Sequence, residues 1–570
     1  MSQSVVEGAR TVKMLSGMAR PAMALLLLGA FQVHQVHSYV AAVVEFSPDG
    51  ITGPLVPSLI FSNNLRRYEE FVVDARKTYA ADIIVFPEYG LTTTYTSNNR
   101  SLALEFAQIV PDKNDNIIPC TAYNDTFEYE AVRRLSCMAR DNGIYLVANL
   151  IEKVDKPGAG VLLHNTNVAF DSAGTVVSRY RKFNLFGEFA LNLTDISDIS
   201  VFDALGARFG MITCFDLMFQ QPAVELVKTY GVTDIIFPTA WIHELPFLTG
   251  VQTQAMWAHA TNVNFLAAGL NHPISGKGGS GIYQGNMGRV VDSTPWDVSS
   301  FYLIGVVPPA GPKAAKLVDQ HADLIRLPGD PIRTPKGPLF PPNRPQTKLI
   351  PPGAKSPYYM QENLTNYESA LIEMRREIMH YSLCSNGLCC DLEVSGTLRD
   401  QTVYRFFVYN GDREFGGGYY KGFRIQTCAL VRCKFSEDPV KNCGLVLSQD
   451  ALKVEFTHIR ITGNFSKDAL MGPNIVDGEF KILAGNQYIF RKEPDQGQVS
   501  RIDFQLAERI DQNILTFGVW GRVFPPWDSG FTENLRPPSW ILPTAIVVGG
   551  AFIVVCFLVT IIKFTPDKYK

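Results

Sequence analysis

The chain has 570 residues, 46% of them hydrophobic and 19% charged, with a formal net charge of −3. That length exceeds one compact core and calls for two or three domains, with the composition of a globular chain rather than a disordered one. The near balance of charge, with no Lys/Arg-rich block, argues against a nucleic-acid partner.

At the start, Arg20 precedes an apolar stretch from Ala22 to Phe31, and small and polar residues follow. This is the order of a secretory signal, and the stretch is too short to span a bilayer. Cleavage is expected between Ala30 and Ser38, so residues 1–38 are read as a signal region. "YVAAVVEF" then reads as a buried strand. Leu65, Tyr68, Val72, Ala75 and Tyr79 fall at helical spacing, and "ADIIVF" is a second strand. Phe127 to Asn142 reads as a helix stopped by Gly143, and "IYLVANL" as a third strand. Val201 to Thr213 reads as a further buried strand. This alternation predicts an α/β fold with covered sheets over residues 39–327. "ADIIVFPEYG" (81–90) and "TDIIFPTAWI" (233–242) echo each other, which suggests paired sheets with approximate internal symmetry.

Ten prolines fall between Pro328 and Pro357, too many for a core element, so residues 328–361 are read as a linker or strap. A helical piece is expected over roughly 362–380. Strand-like, cysteine-rich sequence follows to about Trp520, giving a second, mostly β domain over 362–527. Trp540 to Ile562 carries no charge, and its 23 residues would make a helix of about 34 Å, enough to cross a membrane. Asp528, Ser529 and Gly530, a polar spacer and the apolar tail also have the order of a GPI-attachment signal. Either way residues 528–570 attach the protein to a membrane, with the globular part outside the cell. Sequons at Asn99, Asn124, Asn192, Asn363 and Asn464 agree with that compartment.

An oxidising lumen makes disulfides the expected fate of most of the ten cysteines. Cys556 lies in the tail. Setting Cys214 aside leaves eight, with Cys120 and Cys137 the natural pair in the first half and six clustered between 384 and 443. No paired CxxC and no HExxH argues against zinc, and no metal site is expected.

Cys214 closes the apolar run "GMITC". From the residues alone it is a disulfide half, a quiet core thiol or a nucleophile. No histidine gives it a cysteine-protease context. Glu88 in "VFPEYG" and Lys182 in "SRYRKFNLFGE" offer a carboxylate and an ammonium instead. Each alone is an ordinary surface residue. Together with a thiol at a strand end they suit amide hydrolysis: Glu88 as general base and acid, Lys182 holding the thiolate and oxyanion, and a backbone N–H just after Cys214 as a second oxyanion donor.

"FPEYG", "YRKFNLFGE" and "GMITCFDLMF" resemble the Glu–Lys–Cys motifs of the nitrilase superfamily, in the same order and spacing. "FPTAW" (237–241), "AMWAHATNVNFLAAG" (255–269), "GSGIY" (279–283), "GLCC" (387–390) and "IQTCALVRC" (425–433) resemble its vanin and biotinidase branch. The resemblance implies an αββα sandwich followed by a smaller, disulfide-stapled β domain. It implies Cys214 as nucleophile, Glu88 and Lys182 as its partners, and Glu188 in "LFGE" as a supporting glutamate. It implies hydrolysis of a linear amide through a thioester, with no cofactor. Vanins split pantetheine into pantothenate and cysteamine; biotinidase frees biotin from biocytin. Vanins are commonly GPI-anchored, which tips the tail toward that reading and places the protein on the outer cell surface. Pantetheine is therefore the expected small-molecule substrate, a biotinidase-like or other amide specificity the alternative, and a non-catalytic surface binding protein the rival from another class. "PTAWIHELPFL" and "NHPISGKGGSG" are expected pocket walls, with Trp241 and His243 either lining or packing.

Overall fold

Ala41 and Val43 of β1 (Tyr39–Glu45) turn to one side, and Ala42 and Val44 to the other, all without solvent exposure. A strand apolar on both faces must be covered on both. Here a second sheet covers one face and helices the other. The computed structural model of the protein describes residues 38–310 and 358–524, except 50–55, 159, 399–401, 416–419, 435–439, 447–453 and 495, together with the backbone of Ile332–Arg333. The expected signal, nearly all of the proline-rich run and the membrane tail with Cys556 lie outside the described residues. No helix among the described residues is long and apolar enough to cross a membrane.

The next strands are β2 (Ile83–Val85), β3 (Tyr145–Lys156), β4 (Gly160–Phe170) and β5 (Val176–Arg181). After them come β6 (Val201–Ala204), β7 (Ala207–Met211), β8 (Asp234–Thr239) and the short β9 (Glu244–Leu245). β10 (Asn264–Gly269), β11 (Ser280–Gln284), β12 (Arg289–Ser293), β13 (Phe301–Val307) and β14 (Ile332–Arg333) complete this half. One sheet has the order β14-β13-β1-β2-β3-β4-β5, the other β12-β11-β10-β8-β7-β6. Val43, Val85 and Val147 of the first meet Met211, Ile236 and Leu266 of the second in the layer between them. The helices Pro57–Tyr79 and Glu130–Asn142 cover the outside of the first sheet, and the helix Gly250–Thr261 lies outside the second. This is the αββα sandwich of the nitrilase fold.

The echoed segments occupy equivalent places. β2 runs parallel to β1 and β3; β8 runs parallel to β10 and β7. A parallel bridge between Phe46 and Leu270 joins the ends of β1 and β10 across the two halves. The carboxyl ends of β2, β7 and β8 therefore open toward one region, as parallel strands require.

Residues 201–211 form a hairpin rather than the expected single strand. Leu205 (φ 54°) and Gly206 (φ 76°) both take positive φ, as a two-residue type I′ turn demands. Alternation is the same on both arms, so periodicity could not show the reversal.

From residue 358 the chain builds a β-sandwich. One sheet orders the strands Glu368–Ile372, Thr402–Phe415, Tyr420–Lys434, Ile514–Val523 and Ala469–Asp477. The other orders Met379–Ser385, Leu388–Leu398, Val454–Ser466, Val499–Leu506 and Tyr488–Lys492. Phe504 and Phe517 stack between them at 4.3 Å. The helix expected over 362–380 is absent. Met360–Gln361 pairs with β9, and Glu368–Ile372 pairs with Thr402–Phe415. Cross-strand pairing and the burial of Leu364 and Tyr367 outweigh the local helix propensity of this stretch. Disulfides join Cys120–Cys137, Cys384–Cys389, Cys390–Cys428 and Cys433–Cys443, and Cys214 is free.

Candidate active site

Glu88 follows the end of β2. Tyr89 turns the chain with φ 59°, and a Cβ on Gly90 would lie 2.1 Å from the Tyr68 hydroxyl, so the "PEYG" turn needs its glycine. The Glu88 side chain is 1% exposed and fully occupied. Its Oε1 accepts from Lys182 Nζ at 2.8 Å and from Asn165 Nδ2 at 2.8 Å; its Oε2 accepts from the Ala240 N–H at 2.8 Å. Lys182, just past β5, also lies 2.7 Å from Glu188 Oε2. Glu188 in turn accepts from Asn165 Nδ2 at 2.6 Å, from the Phe186 N–H at 2.9 Å and from the Tyr89 hydroxyl. Two carboxylates thus share one buried ammonium.

An asparagine ladder holds them. Asn149 Nδ2 donates to Asn165 Oδ1 at 2.6 Å and to Asn167 Oδ1 at 2.9 Å, while its Oδ1 accepts from the Tyr89 N–H at 3.0 Å. Asn167 Nδ2 reaches Thr213 Oγ1 at 2.9 Å, beside the cysteine. Buried amides are costly unless paired, and here they pair with one another.

Cys214 begins a short 3₁₀ helix, Cys214–Met218, with its own φ at 47°. Thr213 and Asp216 form a reciprocal cap, the Thr213 N–H donating to Asp216 Oδ2 at 3.0 Å. Asp216 also accepts from Tyr180 Oη at 2.7 Å and from both the backbone and side-chain nitrogens of Asn184 at 2.9 Å. Tyr180 and Asn184 flank Lys182, so one carboxylate ties the lysine segment to the cysteine turn. Burial pushes the Asp216 carboxyl up to about 6, against the pull of Lys182 and these donors.

Burial, and then the Glu88 carboxylate, push the Cys214 thiol up to about 12; Lys182, Thr239 and the Ala240 N–H pull the other way. Burial alone would lower Lys182, but Glu188, Glu88 and Cys214 hold it well above the usual lysine value. Burial likewise works against ionised Glu188, and Lys182 with its hydrogen-bond donors holds it below the usual carboxylate range.

The structure thus brings Glu88, Lys182, Glu188 and Cys214 into one buried cluster. Trp241 and His243 pack instead of standing free: Trp241 Nε1 donates to Leu248 O at 3.0 Å, and His243 Nδ1 accepts from the Gly250 N–H at 3.1 Å. Burial pushes His243 down to about 3, so its ring is neutral. Sequence reasoning missed the asparagines, although three of them inside apolar strands are a signal, since strands disfavour asparagine. It also missed Tyr420, whose hydroxyl accepts from the Gly187 N–H at 2.9 Å and donates to Leu185 O at 2.8 Å. Arg522 Nε donates to Met218 O at 2.9 Å. The β-sandwich half therefore grips both the Lys182–Glu188 segment and the cysteine helix. No group of metal-ligating side chains occurs among the described residues.

With this geometry the first half is a carbon–nitrogen hydrolase domain, and the family model "Carbon-nitrogen hydrolase" matches residues 40–258. The "Vanin C-terminal domain" model matches residues 358–526. Vanin-like protein 1 of Drosophila melanogaster is 30% identical over 518 residues, covering 85% of this chain and 86% of that one. Pantetheinase of Sus scrofa is 30% identical over 504 residues (84% and 90%), and pantetheinase of Homo sapiens 28% identical over 550 residues (92% and 97%). The chain belongs to the vanin family, and it is a hydrolase of carbon–nitrogen amide bonds.

Proposed function

We propose that the protein cleaves pantetheine to pantothenate and cysteamine with Cys214 as nucleophile, on the outer face of the cell. The observation that carries the chemistry is the buried Glu88–Lys182–Glu188 cluster facing the one free cysteine of the described residues, and the similarity to pantetheinases supports the substrate. Glu88 takes the thiol proton as sulfur bonds to the amide carbon. Lys182 and the Phe215 N–H, which has no acceptor inside its own helix turn, stabilise the tetrahedral oxyanion. The proton returns from Glu88 to the amine as the carbon–nitrogen bond breaks, leaving a thioester. Water, deprotonated by Glu88, then releases the acid and restores the thiol.

Substrate choice is tested with pantetheine, biocytin and simple amides on the purified protein. Both named substrates have a secondary amide, so discrimination falls to the pocket for the acyl part. A pocket that hydrogen-bonds the hydroxyls of a pantoyl chain leaves polar groups unpaired against biotin, and such mismatch reaches about 10⁴-fold. Cysteamine release with little biotin release is expected. Equal or faster turnover of biocytin would assign a biotinidase-like specificity instead.

The tail is proposed as a GPI-attachment signal; the sequon residues Asn99, Asn124, Asn363 and Asn464 are exposed and Asn192 is half-buried, which suits an extracellular globular part with either kind of anchor. Phosphatidylinositol-specific phospholipase C is expected to release the protein from cells. Retention on the membrane, with Lys570 present in the mature chain, would establish a transmembrane helix instead.

A further inference from the structure

The hydrogen-bonded set at the centre of the site is short of positive charge. Glu88 and Glu188 share the single ammonium of Lys182, which leaves a net charge of −1 before the thiol ionises. Asp216 adds another carboxylate next to the lysine segment, so the deficit is not met there. Moving the thiol proton to Glu88 relocates the negative charge without removing it. A buried site needs a further cation to hold that charge.

One is present on the loop between β10 and β11. Lys277 forms antiparallel bridges with both His272 and Ile242. The His243 N–H donates to Gly276 O at 2.8 Å, which stitches the loop to the segment after β8. Ile242 lies two residues beyond Ala240, whose N–H bonds Glu88. Lys277 Nζ donates to Ser275 Oγ at 3.1 Å, and Ser275 Oγ lies 2.7 Å from His272 Nδ1. Burial and Lys277 push His272 down to about 4, so that ring is neutral. Among the described residues no carboxylate lies within ion-pair distance of the Lys277 ammonium; Ser275 is its hydrogen-bond partner. Burial lowers the Lys277 ammonium from the usual lysine value, and the negative charges of Cys214 and Glu88 act the other way.

We propose that Lys277 is the second cation of the active site, positioned to balance the negative charge that Cys214 and Glu88 pass between them. This rests on Cys214 being the nucleophile. With Lys277 in place, ionising the thiol takes the set from neutral to −1; without it, from −1 to −2. The second step is harder in a buried site, so the Cys214 thiol ionises at higher pH when Lys277 loses its charge. Lys182, Tyr89, Glu188 and Asp216 also face this site and stay unchanged in the comparison.

The test follows Cys214 alkylation by iodoacetamide, a neutral reagent, across pH in the full protein, read by mass spectrometry of the peptide that holds it. Lys277→Met is expected to alkylate about 10-fold more slowly near neutral pH, equivalent to a rise of about one pKa unit, with Lys277→Arg restoring the rate. A profile that does not move in Lys277→Met overturns the proposal. So does a raised KM for pantetheine with unmoved alkylation, which would assign the lysine to substrate binding. Lys277→Gln is measured in the same way if the methionine variant does not fold. Wild-type protein that carries no label at Cys214 would remove the nucleophile reading itself, and this assignment with it.

Discussion

Cys214→Ala is expected to lower kcat/KM for amide cleavage by about 10⁵- to 10⁶-fold, the scale on which loss of a covalent nucleophile is felt. Tyr89, the phenol in the cluster, is committed to Glu188 and does not replace it. The fold is expected to survive, because alanine accepts the same φ of 47° as cysteine and only one buried atom is lost. The stability change then stays within about 1 to 2 kcal/mol. Glu88→Gln in the Cys214→Ala background is expected to add almost nothing, since the two groups act on one proton. Initial rates on purified protein decide the first point. Alkylation of the wild-type protein without reduction shows whether that thiol is free, because Cys214 is the one described cysteine outside a disulfide. Retained activity in Cys214→Ala, or Cys214 found in a disulfide in active protein, would end the mechanism.

The candidate groups became legible through motifs that resemble the nitrilase superfamily, and each of them also interrupts a local pattern. Glu88 follows a buried strand through a proline, Lys182 follows β5, and Cys214 ends the run after β7. What stayed hidden depends on contacts distant in sequence. Asn149 faces Asn167 only through the β3–β4 register, and their joint approach to Tyr89 and Thr213 appears only once that sheet is paired. Tyr420 reaches Gly187 from 233 residues away, and Arg522 reaches Met218 from 304. The stretch 362–380 misled for a related reason. Its Glu, Met and Arg residues favour a helix locally, but Glu362 is drawn into a buried pair with Arg413, at 2.8 Å, and its N–H donates to Leu245 O. Local propensity is worth tenths of a kcal/mol per residue, about the size of what one such contact overrides.

Lys182→Met is expected to cost both chemistry and stability, and to reverse the sign of one pH dependence. In the wild-type protein the ammonium holds Glu188 low despite its burial. A carboxyl held low stabilises the fold above its unfolded pKa, near 4.3, and that contribution is lost as pH falls through the lower folded value. Near neutral pH the contribution is therefore complete. Without the ammonium, Asn165 Nδ2 still bridges the two carboxyls, at 2.8 Å to Glu88 and 2.6 Å to Glu188. Two carboxylates that close in a dry site cannot both remain charged, so one keeps a proton and its folded pKa rises above the unfolded one. A carboxyl raised in this way stabilises the fold at acid pH and loses that contribution as pH rises through the folded value. The variant should be about 3–5 kcal/mol less stable near pH 8, the usual cost of stripping one partner from a buried ion pair. It should recover part of that deficit toward about pH 5, where the wild type still keeps the whole Glu188 contribution. Urea denaturation with disulfides intact, repeated across this range, measures both slopes. Loss of an oxyanion donor adds a fall in kcat of about 10²- to 10³-fold at any pH where the variant is folded. A deficit of the same size near pH 5 and pH 8 would mean that Glu88 and Glu188 do not depend on one shared positive charge, and the role given to Lys182 would fall with it.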